Sequence, residues 1–404
     1  MTDETAKHEQ AGDAGRVCSP SARSPVLLLL VVGLLLSSWY GGKSLEQIQT
    51  TLMATAMEAA SSAGANAGGV KSRLSQNDLT RLPIPLHELT ADDGNLVCPE
   101  PLVAVHDRIV SGTTNATTAT KRRIPRIMHL SMRSRCMPPD LADTVFRWQK
   151  ALPNHDIYFH DDAAIERLLR DDPWPEFPHL LKIYDGCIQV KGAVMVDIWR
   201  VLVLYRYGGL YSDIDNWPLQ PFTENDPIQQ DDSAMFFSDP WNRPSQWFMS
   251  MEPKHPIAYF SMFEILKRIV AVETIEDFRP VFTTGPEPCR DGYVNFLEGN
   301  GEKKEEIFKI GVHVAAERFG NRTVRKLHRE GGEYLRKNLG DTFDDMVDYT
   351  DTNGATFKIT RKERSQRQSG ALHWKKLIEN RRMDVGKPRG RCLDLLYKLD
   401  QDAR

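Results

Sequence analysis

Val190-Lys-Gly-Ala-Val-Met-Val-Asp-Ile-Trp-Arg-Val-Leu-Val-Leu-Tyr-Arg-Tyr-Gly-Gly-Leu-Tyr-Ser-Asp-Ile-Asp-Asn-Trp-Pro218 is the stretch whose reading decides the fold. From 193 to 205 almost every residue is apolar, and only Asp197 and Arg200 interrupt. A helix that is apolar nearly all round is a buried one. Side chains three apart on a helix share a face, so the two charges lie together. Charge taken out of water is costly unless it is paired or used. The pair is therefore either a structural ion pair or part of a site. Gly208-Gly209 ends the helix, since glycine accepts the left-handed conformation that helix ends need. Leu210 to Asp215 then alternates as a strand does. Leu210, Ser212 and Ile214 face one side, and Tyr211, Asp213 and Asp215 face the other. Pro218 stops the strand because it cannot donate to a ladder.

Two carboxylates facing one side at a strand end suit a hard cation with oxygen ligands, Mn2+ or Mg2+, that keeps positions open for phosphate oxygens. The spacing alone is weak evidence. Asp400-Gln-Asp402 repeats it in a polar tail, where it reads as solvated. The signal is the combination of apolar helix with Asp and Arg, paired glycines, short strand and paired carboxylates.

Asp197-Ile-Trp-Arg200, Leu204-Tyr-Arg-Tyr-Gly-Gly209 and Leu210-Tyr-Ser-Asp-Ile-Asp215 resemble the sugar-binding Asp-x-Asp region of glycosyltransferase family 32, and most closely its Golgi initiating α-1,6-mannosyltransferases. Weaker resemblances run across roughly 121–290: Ile124-Pro-Arg-Ile-Met-His129, Trp148-Gln-Lys-Ala-Leu-Pro-Asn154, Ile157-Tyr-Phe-His-Asp-Asp162, Ser250-Met-Glu-Pro-Lys-His-Pro256 with Gln246 as the nearest upstream amide, and Thr284-Gly285-Pro286. The resemblance implies a metal-dependent hexosyltransferase that retains anomeric configuration. Asp213 and Asp215 would be its metal residues, and Asp197 and Arg200 would bind hydroxyls of the donor sugar. Tyr211 and Asp213 would lie against the donor, a nucleotide sugar for which GDP-mannose is favoured. UDP-galactose, UDP-N-acetylglucosamine and an inositol phosphoceramide acceptor stay open. Strand, helix and strand segments alternate from Ile124 through Phe237, giving an α/β class with a mainly parallel sheet, and the resemblance implies one Rossmann-like nucleotide-sugar-binding domain of the glycosyltransferase A type. Ligands of such sheets sit at carboxyl ends of strands, so His129 is a candidate residue near the nucleotide. A packed histidine is the plainer reading.

The 404 residues suffice for one large α/β domain with appendages, and the formal net charge of -3 gives no support for nucleic-acid binding. Val26 to Tyr40 is the membrane candidate. From Pro25 to Tyr40 a helix spans about 24 Å, short for an average bilayer and suited to early secretory membranes. Arg16 and Arg23 precede it, which favours a cytosolic N-terminus. A cleaved signal peptide competes, but the polar leader is long and the cleavage context poor. The expected organisation is a cytosolic tail 1–24, a signal-anchor 25–42, a flexible stem 43–120 rich in Ala, Ser, Thr and Gly, and a catalytic domain 121–404 in the lumen of the Golgi or endoplasmic reticulum. Asn115-Ala-Thr117 and Asn321-Arg-Thr323 are glycosylation acceptors in that topology.

Cys98, Cys136, Cys187, Cys289 and Cys392 follow the anchor candidate, allowing two disulfides and a leftover thiol whose pairing the sequence leaves open. Lys358, Arg361, Lys362, Arg364 and Arg367, then His373-Trp374, form a late basic run. It reads as a solvated face, or as a loop that closes on diphosphate or an anionic acceptor. Two readings outside transferases are an Asp-x-Asp phosphatase and a membrane-anchored glycan-binding protein. Trp217 two residues after Asp215 disfavours the first. The intact set Asp197, Arg200, Asp213 and Asp215 argues against the second.

Overall fold

A computed structural model gives the structure of the chain and describes residues 82–91, 96–111, 122–187, 192–219, most of 222–330, 344–350, 356–362 and a few positions from 392 to 399. The chain divides into two compact units, Met1–Leu74 and Ser75–Arg404. The first unit, the anchor candidate within it, the Asn115 acceptor and His373-Trp374 lie outside the described residues. Among the described residues no helix is long and apolar enough to cross a membrane.

In chain order the second unit holds α1 (Leu86–Thr90), β1 (Val103–Ala104), β2 (Arg108–Ile109), β3 (Ile127–Ser131), β4 (Cys136–Met137), α2 (Pro139–Ala151), β5 (Asp156–His160), α3 (Asp162–Arg170), α4 (Leu180–Gly186) and α5 (Ala193–Tyr207). There follow β6 (Gly209–Ser212), β7 (Asn216–Pro218), β8 (Asp232–Ser238), β9 (Pro244–Met251), α6 (Pro256–Ala271), α7 (Pro280–Thr283), α8 (Pro286–Gly299), β10 (Gly311–Val314), β11 (Thr323–Glu330), β12 (Asp344–Thr350) and β13 (Thr356–Lys362). Residues 82–91 and 96–111, inside the expected stem, are tied to the domain. The Ile84 N–H donates to Asp172 at 2.8 Å, β2 pairs with β5, and Cys98 is disulfide-bonded to Cys136.

An 11-stranded sheet runs β2-β5-β3-β6-β9-β8-β11-β12-β13-β7, with β10 on β11. The pairs β3·β5, β3·β6 and β8·β11 are parallel; the remaining pairs of this sheet are antiparallel. The sheet is α/β but mixed, which corrects the mainly parallel expectation. The physical reason is the β8–β9 hairpin, which inserts two strands between β6 and β11. A short connection returns a strand antiparallel, whereas the crossovers through α2 and through α3 to α5 return strands parallel. Leaving β3, the chain steps to β5 on one side and later to β6 on the other. Strand order thus reverses between β3 and β6, and in open α/β sheets the carboxyl ends of strands at such a point are the usual place for a ligand.

Strand alternation divides the side chains between two cores. Tyr211, Ala234, Phe236, Met249 and Met251 join α3, α4, α5, α6 and α8 on one face. Met128, Leu130, Leu210, Met235, Phe237 and Phe248 join α2 and the β12–β13 hairpin on the other. There Phe248, Phe237 and Tyr349 stack with centroids 4.0 and 4.1 Å apart. The α5 helix is buried on nearly every side, as its composition requires.

The turn from α5 into β6 is made by two glycines at φ +66 and φ +99. A Cβ on Gly209 would sit 2.6 Å from the Ile127 carbonyl oxygen, and one on Gly208 2.6 Å from Pro253. Close approach of β6 to β3 therefore demands glycine on both steric and torsional grounds. Gly209→Ala is expected to cost roughly 1–3 kcal/mol or more. Gly186→Ala, with nothing within 4 Å of the added carbon, should change stability by less than about 1 kcal/mol. Paired chemical-denaturation curves check this, and equal stability of the two variants would contradict it.

Candidate active site

The residues of the decisive stretch converge where α5, β6 and β9 meet, and Arg200 stands at their centre. Its Nη2 lies 2.9 Å from Asp197 Oδ1. Its Nη1 donates to Asp213 Oδ1 at 3.2 Å and to the Gln246 carbonyl at 3.4 Å. Its guanidinium carbon lies 4.8 Å from the Tyr211 ring centroid. Asp197 Oδ2 accepts from the Thr284 hydroxyl at 3.0 Å, and the Tyr211 hydroxyl donates to Asp213 Oδ1 at 2.7 Å. Asp197 and Arg200 do form a buried ion pair, and the same guanidinium carries it through to the acidic pair.

The strand expected to reach Asp215 ends at Ser212. The Asn216 N–H donates to the Asp213 carbonyl at 3.1 Å and closes a turn over Asp213, Ile214 and Asp215. That turn is fixed by its neighbours. The Asp213 N–H donates to the Trp247 carbonyl at 2.9 Å. The Asn216 amide donates to the Ser212 hydroxyl and the Trp247 carbonyl, each at 3.1 Å. The Trp148 indole donates to the Asn216 carbonyl at 3.0 Å. The single-face alternation expected for Tyr211, Asp213 and Asp215 is thus replaced by a turn. There the Asp213 side chain is 22% exposed and Asp215 is 3% exposed.

Two carboxylates on one turn supply the hard oxygen donors that Mn2+ or Mg2+ takes, and such ions commonly complete their shell with water and substrate phosphate. Among the described residues no group of three or more His, Cys, Asp or Glu side chains could hold a metal. Two carboxylates alone would leave such an ion most of its positions for other oxygen ligands. One oxygen of Asp213 is engaged by Arg200 and Tyr211, which fixes its carboxylate in one orientation.

His129 is placed differently from the expectation. It is fully buried, with Nε2 2.9 Å from the Gly208 carbonyl and Nδ1 3.1 Å from His160 Nε2. Burial drives its pKa down to about 4, against the pull of that carbonyl. The neutral ring holds the Gly208 turn and lines no open surface, which corrects its reading as a nucleotide-lining residue. Tyr211 is likewise buried, and burial raises its phenol well above the usual value despite the nearby Arg200. It acts as a neutral donor that orients Asp213.

Thr284, Asn216 and Trp148 have roles here that their sequence context does not announce, although Thr284-Gly285-Pro286 stands out as a motif. Thr284 lies 87 residues from Asp197 in the chain, and its partner is set by tertiary packing. Gln246, noted only as an amide, donates to the Thr284 carbonyl at 3.2 Å and so links β9 to the α7–α8 turn. The free thiol Cys289 is buried beside this network and pushed up to about 12 by burial, which makes it unreactive.

Burial pushes the Asp197 carboxyl up to about 6, although Arg200 and the Thr284 hydroxyl favour the ionised form. The folded protein thus holds this proton more tightly than the unfolded chain. The associated stabilisation is present below the ordinary carboxylate value and is lost as pH rises through about 6. Thr284→Val removes a hydrogen bond to the ionised form and is expected to raise the Asp197 pKa further. Carboxyl-detected NMR titration of wild type and variant checks both statements. A wild-type Asp197 midpoint below 4, or a downward shift in the variant, would contradict them.

Residues 138–234 match the family model of the glycosyltransferase sugar-binding region containing the DXD motif. The chain is 23% identical over 151 residues to "Putative glycosyltransferase HOC1" of Saccharomyces cerevisiae, covering 33% of this chain and 36% of that protein. It is 26% identical over 163 residues to inositol phosphoceramide mannosyltransferase 1 of Schizosaccharomyces pombe, covering 39% and 47%. The chain therefore spans less than half the length of these relatives. A solved structure, PaToxG glycosyltransferase, overlaps 44% of this chain and 72% of its own at 15% identity, with a TM-score of 0.34, too slight a likeness to equate the two folds. The apolar helix, the glycine turn and the acidic pair all fall inside residues 138–234, the span that is similar to the DXD-containing sugar-binding region of glycosyltransferases.

Proposed function

We propose that the chain is a metal-dependent glycosyltransferase that moves a hexose, mannose from GDP-mannose first among the candidates, to a glycan or glycolipid acceptor with retention of configuration. The observation that carries the reading is the buried link Asp197–Arg200–Asp213, which joins an apolar helix to the acidic turn at a point where strand order reverses. Asp197 and Arg200 offer an acceptor and a donor group fixed in position for hydroxyls of the donor sugar. Asp213 and Asp215 would hold the manganese or magnesium ion. When bound, that ion supplies Lewis-acid neutralisation of charge on the departing nucleotide diphosphate. The name of one relative, the inositol phosphoceramide mannosyltransferase, supports mannose, and it supports a glycolipid acceptor as the second reading.

A Golgi or endoplasmic reticulum location, with the described unit in the lumen behind a single-pass type II anchor at Val26–Tyr40, belongs to the same proposal. Support comes from the disulfides Cys98–Cys136 and Cys187–Cys392, which suit an oxidising compartment, and from Asn321 of the second acceptor sequence, which is exposed. The basic run beginning at Lys358 enters the sheet on β13, which pairs with β7 just after the acidic turn. That placement supports a part in holding an anionic substrate.

The test is a panel of nucleotide sugars with the full-length chain, scoring donor hydrolysis and transfer with manganese and with excess chelator. Manganese-stimulated transfer from GDP-mannose is expected, with Asp215→Asn lowering turnover by roughly 10²-fold or more while the fold persists. Turnover of UDP-sugars alone would refute the mannosyl assignment. Full activity in chelator, or in the Asp215→Asn variant, would refute metal use. Hydrolysis of simple phosphomonoesters without sugar transfer would overturn the transferase reading.

A further inference from the structure

The tip of the β8–β9 hairpin carries Trp241, whose side chain is left in water while most aromatic rings of this unit are packed away. It is 62% exposed. A mobile surface aromatic would need no explanation, but this one is held in place. The Asp239 carboxylate accepts from the Trp241 N–H and the Arg243 N–H, each at 2.9 Å, and from Arg243 Nε at 3.0 Å. The Asp239 N–H donates to the Arg243 carbonyl at 2.7 Å. Arg243 places its guanidinium carbon 4.7 Å from the indole centroid and its Nη1 3.9 Å from Glu287 at the start of α8. From the sheet below, the buried Lys326 donates to the Asn242 carbonyl. The indole is braced by a cation while much of it stays open to solvent.

The hairpin also stands at the right end of the sheet. Ser212, the last residue of β6, is opposite Phe248 on β9, and Trp247 accepts from the Asp213 N–H. Because β9 runs antiparallel to β6, its residues before Trp247 extend past the acidic turn. Pro244 lies three positions before Trp247, about 10 Å at ~3.3 Å per residue, and Trp241 lies beyond. That is the scale of a short oligosaccharide reaching outward from the donor. A sugar ring has an apolar C–H face, and a tryptophan held rigid before binding offers it a large flat surface with little ordering cost.

We propose that Trp241 is a specificity-determining residue that stacks on a sugar ring of the glycan acceptor, with Arg243 and Asp239 holding the indole in place. The proposal rests on the transferase reading above and deepens it by naming where the acceptor glycan lies.

Two measurements on the full-length chain separate the two readings. In the first, indole N–H signals are followed by NMR while mannotriose, galactotriose and chitotriose are titrated in turn, with no donor present. Saturable shift of the Trp241 signal by at least one trisaccharide, abolished in Trp241→Ala, is expected. No shift with any of them overturns the proposal. In the second, acceptor KM and acceptor-independent donor hydrolysis are measured together. Trp241→Ala should raise acceptor KM roughly three- to tenfold and leave donor hydrolysis and melting temperature unchanged, and Trp241→Phe should recover part of the loss. An unchanged acceptor KM in Trp241→Ala overturns the proposal and leaves the transferase reading standing. Saturable binding at Trp241 without sugar transfer by the wild type would overturn the transferase reading and, with it, the acceptor role of Trp241.

Discussion

One buried guanidinium organises this protein. Arg200 sits inside an apolar helix at 7% exposure, where an unpaired charge would be prohibitive. It is accommodated because Asp197 from its own helix, Asp213 from the following turn and a backbone carbonyl from β9 all accept from it or face it. Arginine suits this place better than lysine, since its planar fork addresses two carboxylates at once and stays charged when buried. The consequence is mechanical as well as electrostatic. Helix α5, strand β6 and strand β9 cannot shift relative to one another without breaking charge-assisted hydrogen bonds in a low-dielectric interior.

That constraint explains why so many neighbouring residues face inward. Tyr211 and Thr284 each give a hydroxyl to one of the carboxylates that Arg200 pairs, and Gln246 ties Thr284 back to β9. His129 and His160 form a neutral buried pair behind the Gly208 carbonyl and hold the turn from which the acidic pair follows. Together these groups form the support that keeps Asp213 and Asp215 on a fixed turn, as a site that acts by orientation and electrostatics requires.

The parts of this arrangement encoded locally were legible in the sequence. The apolar run 193–205 became α5, the paired glycines became its end, and Leu210 and Tyr211 entered opposite cores as alternation implied. The parts set by distant partners were not. Nothing near Asp213 announces that Asn216 will close a turn there, because the turn is held by Trp148 and Trp247 from elsewhere in the chain. His129 stands in the middle of β3, opposite Tyr211, and position along a strand does not tell a packed ring from a lining one. The antiparallel half of the sheet escaped for a related reason. Strand direction depends on whether a connection is a hairpin or a crossover, and β8 and β9 read as apolar segments in either case.

The central claim is that Arg200 and Asp213 act as one unit in holding a nucleotide-sugar donor. A double-mutant cycle measures it directly: calorimetric affinity for GDP-mannose with manganese in wild type, Arg200→Met, Asp213→Asn and the double variant, each verified as folded. The account predicts that either single change loses most of the affinity and that the double variant is little worse, a coupling well above the 0.3–0.5 kcal/mol scatter of roughly additive, independent sites. Losses that simply add, or affinity unchanged in the folded Arg200→Met protein, would contradict it.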